Sequence, residues 1–123
     1  MPKYLLWNFS REVLLASSLR VVRGLFQRLR NFLRFRPPRA GEAVLLSHYL
    51  LLPTYYAREP LDLVFLDDRG YVVGTVGCAA PRHSVRRDRR ASDVVALPAN
   101  ALQTVPVSVG DRLSLIWTRP PRE

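Results

Sequence analysis

One cysteine, one lysine and one methionine are all that this chain contains of those three residue types. With Cys78 alone, no intrachain disulfide can form and a cysteine-rich metal site is excluded. Cys78 follows an apolar run and stands between Gly77 and Ala79, so the reading is a small buried thiol rather than a nucleophile. His48 and His83 have no Cys, Asp or Glu at ligand spacing, so no metal is expected. Ser47-His48 lacks a glycine-flanked nucleophile elbow and an acid partner, and no catalytic residue is assigned. A Gly-x-Gly-x-x-Gly pattern and a phosphate-binding loop are both missing, so no cofactor is expected. No stretch reaches the roughly 18 apolar residues of a membrane span. The longest, Ala43 to Tyr56, is interrupted by Ser47 and His48. The N-terminal "YLLWNF" is broken by Arg11 and Glu12 and makes a poor signal peptide, so a cytoplasmic location is the expectation.

What the chain has is arginine. Nineteen basic residues stand against 10 acidic ones in 123, for a net charge of +9. Residues 1–42 carry nine basic and two acidic side chains, residues 43–83 three and four, and residues 84–123 seven and four. The charge is thus densest in the first third. Codon usage in a GC-rich genome and a need for guanidinium chemistry would both produce this bias. A hydrophobic content of 48% with 24% charged residues is that of one globular domain, 1–123, with a core over about 11–117 and a frayed tail at 118–123.

Patterning along the chain gives mainly strands. Arg11–Arg23 reads as a strand, rich in small and branched apolar residues. From Gly24 the period changes: Leu25, Leu29, Phe32 and Leu33 fall at helical spacing, and Arg23, Gln27, Arg30 and Arg34 fall on another side. This predicts an amphipathic helix over 25–35, stopped by Pro37 and Pro38. Glu42–Leu52 reads as a strand. Leu61–Asp67 and Tyr71–Val76, joined by Asp68-Arg69-Gly70, read as a hairpin. Pro81–Ser92 is a polar, arginine-rich loop, followed by a strand ending near Pro98 and a last strand over Leu113–Trp117. With no recurring strand–helix alternation, the expected fold is mainly β, an antiparallel sandwich or barrel of about six to eight short strands with one helix.

Three blocks in order resemble the domain of unknown function 192 family, a small prokaryotic family. In the first, Arg28, Leu29, Arg30, Leu33, Gly41 and Glu42 match, with Asn31 where glycine is usual. In the central block Thr54, Arg58, Pro60, Leu61, Asp62, Phe65, Leu66, Asp67 and Gly70 match. In the closing block Leu97, Pro98, Ala99, Gly110 and Asp111 match. Pro53 stands where the family has histidine, and Ala57 where it has methionine. Asn100 stands where the family prefers glycine, and asparagine tolerates a left-handed backbone better than most residues. The resemblance implies a mainly β fold with a helix and no settled activity.

Asp62 is the odd residue, a carboxylate among Leu61, Leu63, Val64, Phe65 and Leu66. Burying an unpartnered carboxylate is costly, so hydrogen-bond donors are expected around it. Either Asp62 accepts from the Thr54–Glu59 loop and pins it, or Thr54, Arg58 and Asp62, with His48 nearby, form the polar floor of a ligand pocket. Arg82, Arg86, Arg87, Arg89 and Arg90 form a second candidate site, for anions or nucleic acid. Exposed aromatics are not interleaved with them in the sequence, and no nucleic-acid motif appears. Three function classes stay open: a non-catalytic binding or scaffolding module; an electrostatic binder of nucleic acid, an acidic surface or a protein; and an enzyme using His48 and Asp62 as base and orienter.

Overall fold

A computed structural model describes residues 3–22, 38–47, 59–79 and 90–118. Seven strands lie there: β1 Lys3–Asn8, β2 Val13–Val22, β3 Glu42–Ser47, β4 Leu61–Leu66, β5 Val72–Ala79, β6 Asp93–Pro98 and β7 Leu113–Thr118. They form one sheet in the order β5-β4-β6-β3-β2-β1-β7. The expected mainly β fold is present, as a curled, half-barrel sheet. It is mixed rather than wholly antiparallel, because β2 and β3 run parallel, Leu19 opposite Ala43 and Val21 opposite Leu45. The helix expected over 25–35 lies outside the described residues. Among the described residues the helix is a single turn, Ala101–Thr104.

β4 is a doubly covered strand. All six of its residues are buried, so both faces of this strand are covered. Val64 and Leu66 join Leu6, Leu19, Leu45, Val72, Leu97 and Leu113 in the core that the curled sheet encloses. Leu61, Leu63 and Phe65 point the other way and pack with Val44, Leu46, Val94 and Ala96. A half-covered sheet would show polar residues at alternate positions, and this strand shows none but Asp62.

The sheet nearly closes at one corner. Tyr71 bridges to Arg112, Val72 donates its N–H to the Asp111 carbonyl, and Gly110 donates to the Val72 carbonyl. The β4–β5 turn therefore leans on the entry to β7. Gly70 makes this approach feasible: its φ is +88°, and a Cβ there would stand 2.7 Å from the Leu113 carbonyl oxygen. The first strand is a difference from the sequence reading. Lys3–Asn8, whose apolar run resembles a poor leader peptide, pairs with both β2 and β7.

Candidate functional site

Asp62 is fully buried, 0% exposed, and its carboxylate is occupied by backbone donors. Oδ1 accepts the N–H of Cys78 at 2.7 Å and of Asn100 at 3.1 Å. Oδ2 accepts the N–H of Leu102 at 2.8 Å. The expected donors were those of the Thr54–Glu59 loop, of which residues 54–58 lie outside the described residues. Among the described residues the donors come from β5 and from the turn after β6, two segments that no local pattern connects to Asp62.

Both residues that share Oδ1 have a left-handed backbone, Cys78 with φ 48° and Asn100 with φ 71°. Non-glycine residues adopt this region at a cost that the surroundings must offset, and a shared charged acceptor does so here. Cys78 sits where the β4–β5 register slips between Leu61↔Ala79 and Leu63↔Val76, the signature of a bulge. Asn100 occupies the cap position of the single-turn helix, yet its side chain makes no capping bond. Asp62 supplies that acceptor from the neighbouring strand through the Leu102 N–H. The buried-thiol reading of Cys78 is corrected: the bulge turns the residue outward, where it is exposed and its thiol donates to Asn100 Oδ1 at 3.1 Å.

A cleft of about 300 Å³ borders this node, with Leu15, Gly41, Leu97 and Ala101 among its walls. Glu42, Asn100 and Thr104 supply polar groups to its lining, and each already has a partner. Glu42 Oε1 accepts the Arg39 N–H at 2.9 Å, Asn100 Oδ1 takes the Cys78 thiol, and the Thr104 hydroxyl donates to the Ala101 carbonyl at 3.2 Å. The lining thus offers an apolar floor with few uncommitted polar atoms.

Thr54, Arg58 and His48 lie outside the described residues, as do Arg82, Arg86, Arg87 and Arg89. Ser47 is opposite Asp93 at the start of β6, and Asp62 is opposite Leu97 near its end. Four residues of strand separate those positions, about 13 Å along the sheet. Arg90 closes the arginine-rich loop and donates Nη2 to the Val73 carbonyl at 3.2 Å, on the edge strand β5. Among the described residues no three His, Cys, Asp or Glu side chains cluster as metal ligands, and no helix is long and apolar enough to cross a membrane.

A second polar node was not anticipated. Asn8 is 0% exposed, and its side chain makes four bonds. Nδ2 donates to the Pro106 carbonyl at 3.1 Å and to Asp111 Oδ2 at 3.0 Å, while Oδ1 accepts the N–H of Ser10 at 3.0 Å and of Arg11 at 3.3 Å. Asp111 Oδ2 also accepts from Arg11 Nε at 2.8 Å and from the Ser108 N–H at 2.9 Å. The Asn8 hydrogen bond, followed by the bonds and charge of Arg11 and the Ser108 N–H, holds the Asp111 carboxyl below its usual range against the opposing effect of burial. Its sequence signal was a lone asparagine closing an apolar run and an aspartate after Gly110.

No protein-family profile and no curated protein matches the chain. Two solved structures are similar. A proposed transcription regulator from Sinorhizobium meliloti 1021 has a TM-score of 0.68 and 22% identity, over 93% of both chains. A protein of unknown function from Novosphingobium aromaticivorans DSM 12444 also has a TM-score of 0.68, with 14% identity over 91% of this chain and 83% of that one. At these identities the likeness shows the shared fold.

Proposed function

We propose that this chain is a divergent, non-catalytic member of the domain of unknown function 192 family, acting by binding or scaffolding. The observation that carries the reading is the state of Asp62. A general base or ligand-binding carboxylate needs an oxygen directed at substrate. Here both oxygens take backbone N–H groups of the protein itself. The aspartate of the family pattern holds the fold together, and the pattern's histidine and methionine are replaced by Pro53 and Ala57. The test is turnover of chromogenic ester, phosphate and glycoside substrates by the chain and by its His48→Ala and Arg58→Ala variants. No turnover above buffer is expected. Turnover that falls in either variant, with the fold intact by circular dichroism, would overturn the reading.

A second reading, nucleic-acid binding, is favoured by the net charge of +9 and by the clustering of Arg82, Arg86, Arg87, Arg89 and Arg90 within nine residues of sequence. Dense basic stretches of this kind attract polyanions. The description of the Sinorhizobium protein as a proposed transcription regulator agrees with this reading.

A further inference from the structure

Three side chains distant in sequence stand in one row on the outer surface. Phe9 donates its N–H to the Arg112 carbonyl at 2.9 Å, continuing by one residue the register that pairs Asn8 with Leu113. On its other side Arg112 bridges to Tyr71. Asn8, Leu113 and Val72 are buried, so strand alternation turns Phe9, Arg112 and Tyr71 outward. All three are exposed, Phe9 by 55% and Tyr71 by 41%. Adjacent strands are about 4.8 Å apart, which places the two aromatic residues about 10 Å apart with the arginine between them. The Arg112 guanidinium lies 5.9 Å from the Tyr71 ring centroid and pairs with no carboxylate among the described residues.

Exposed rings with a cation between them have a specific chemical complement. Every base has a face that stacks on an aromatic ring, and a guanidinium takes the phosphate joining two bases. We propose that Phe9, Arg112 and Tyr71 form a sequence-tolerant platform for single-stranded nucleic acid. A base stacks on each ring and the intervening phosphate meets Arg112. In a duplex the base faces are already stacked, so the platform selects the single strand. The inference rests on the nucleic-acid reading above and adds to it a defined contact surface.

The surrounding charges set how the platform works. Asp111 is held by Asn8, Ser108 and Arg11, and Asp67 Oδ1 accepts the N–H groups of Arg69 and Tyr71 at 2.9 Å each. Glu12 and Asp68 are exposed nearby, as are Arg11 and Arg69, and the local field is close to neutral. Stacking therefore carries the contact at this corner, while the arginine-rich stretches supply the attraction.

Fluorescence anisotropy with labelled oligothymidylate, and with a labelled duplex as comparator, tests this at low and at physiological salt. The full chain is expected to bind the single strand more tightly than the duplex. Phe9→Ala and Tyr71→Ala should each weaken binding between about 5- and 150-fold with the salt slope unchanged. Phe9→Trp should keep the affinity, and Arg112→Gln should lower the slope by about 0.7. Both ring residues are exposed, so circular dichroism should show the variants folded. Binding that survives both ring substitutions overturns the platform and leaves the nucleic-acid reading standing. No binding by the unaltered chain at low salt overturns both. Self-association in sedimentation that the ring substitutions abolish, without oligonucleotide binding, assigns the row to a protein contact and overturns the proposal.

Discussion

Asp62 and Asp111 show two ways of keeping a carboxylate in a small β domain. Asp62 is answered by backbone N–H groups, Asp111 mainly by the Asn8 amide and the Arg11 guanidinium. For Asp111 the consequence is a pH dependence with a definite sign. Its carboxyl titrates below the usual range in the folded protein, whereas in the unfolded chain it titrates near the ordinary value of about 4. The unfolded state therefore binds the proton first as pH falls. The stabilisation from Asp111 is complete above the ordinary carboxylate range and is lost as pH falls through the lowered folded value. Urea unfolding of the protein and of Asp111→Asn should show a gap in midpoint at pH 7 that narrows toward pH 3. A gap independent of pH would mean that packing, not charge, makes the difference. At this scale the sequence was partly informative. That Asp62 needed donors followed from the cost of burial, and the left-handed backbone of Asn100 followed from an asparagine standing where the resembled family prefers glycine. Which N–H groups would come, from 16 to 40 residues away, did not. Cys78 was misread because burial was inferred from its neighbours, and a bulge reverses that alternation.

Each element of the sheet is as legible as its pairing is local. The β4–β5 hairpin announced itself through Asp68-Arg69-Gly70, since a short glycine turn between apolar runs pairs them directly. The parallel β2–β3 pair had no such signal, because its register is decided by tertiary packing across a long connection. Strand β1 was missed for a different reason: six residues at the chain start, apolar on alternate sides, resemble a targeting segment as much as a strand. Asp62 is what couples elements here, joining β4 to the β5 bulge and to the single-turn helix. Asp62→Ala leaves the N–H groups of Cys78, Asn100 and Leu102 without their acceptor, and the two left-handed residues without support. Stability should fall by about 3 kcal/mol or more. In hydrogen exchange those three amides should lose protection before the β4–β6 ladder does, because the ladder keeps its own bonds. A uniform loss across the sheet, or a drop below about 1 kcal/mol, would show that water replaces the carboxylate adequately.

For the whole molecule, the excess of arginine sets the expected behaviour toward polyanions. A net charge of +9 draws a polyanion to the molecule as a whole, and its salt-dependent part should follow the densest basic stretches. The arginine-rich loop is the most compact of these. Arg86→Ser, Arg87→Ser and Arg89→Ser made together test it, with Arg90 left in place because its guanidinium bonds the Val73 carbonyl on the β5 edge. Each phosphate left without its arginine lowers the slope of log affinity against log salt by about 0.7 for a single strand, so the triple variant should lower it by about 2. Unlike the aromatic row at Phe9, Arg112 and Tyr71, these residues carry charge without stacking surface. Their removal should therefore weaken all sequences and both strand forms alike. A titration of labelled oligonucleotide against protein at several salt concentrations separates the two contributions. An unchanged slope in the triple variant would mean that these arginines do not touch phosphate. The chain's positive charge would then be a matter of solubility and composition rather than recognition.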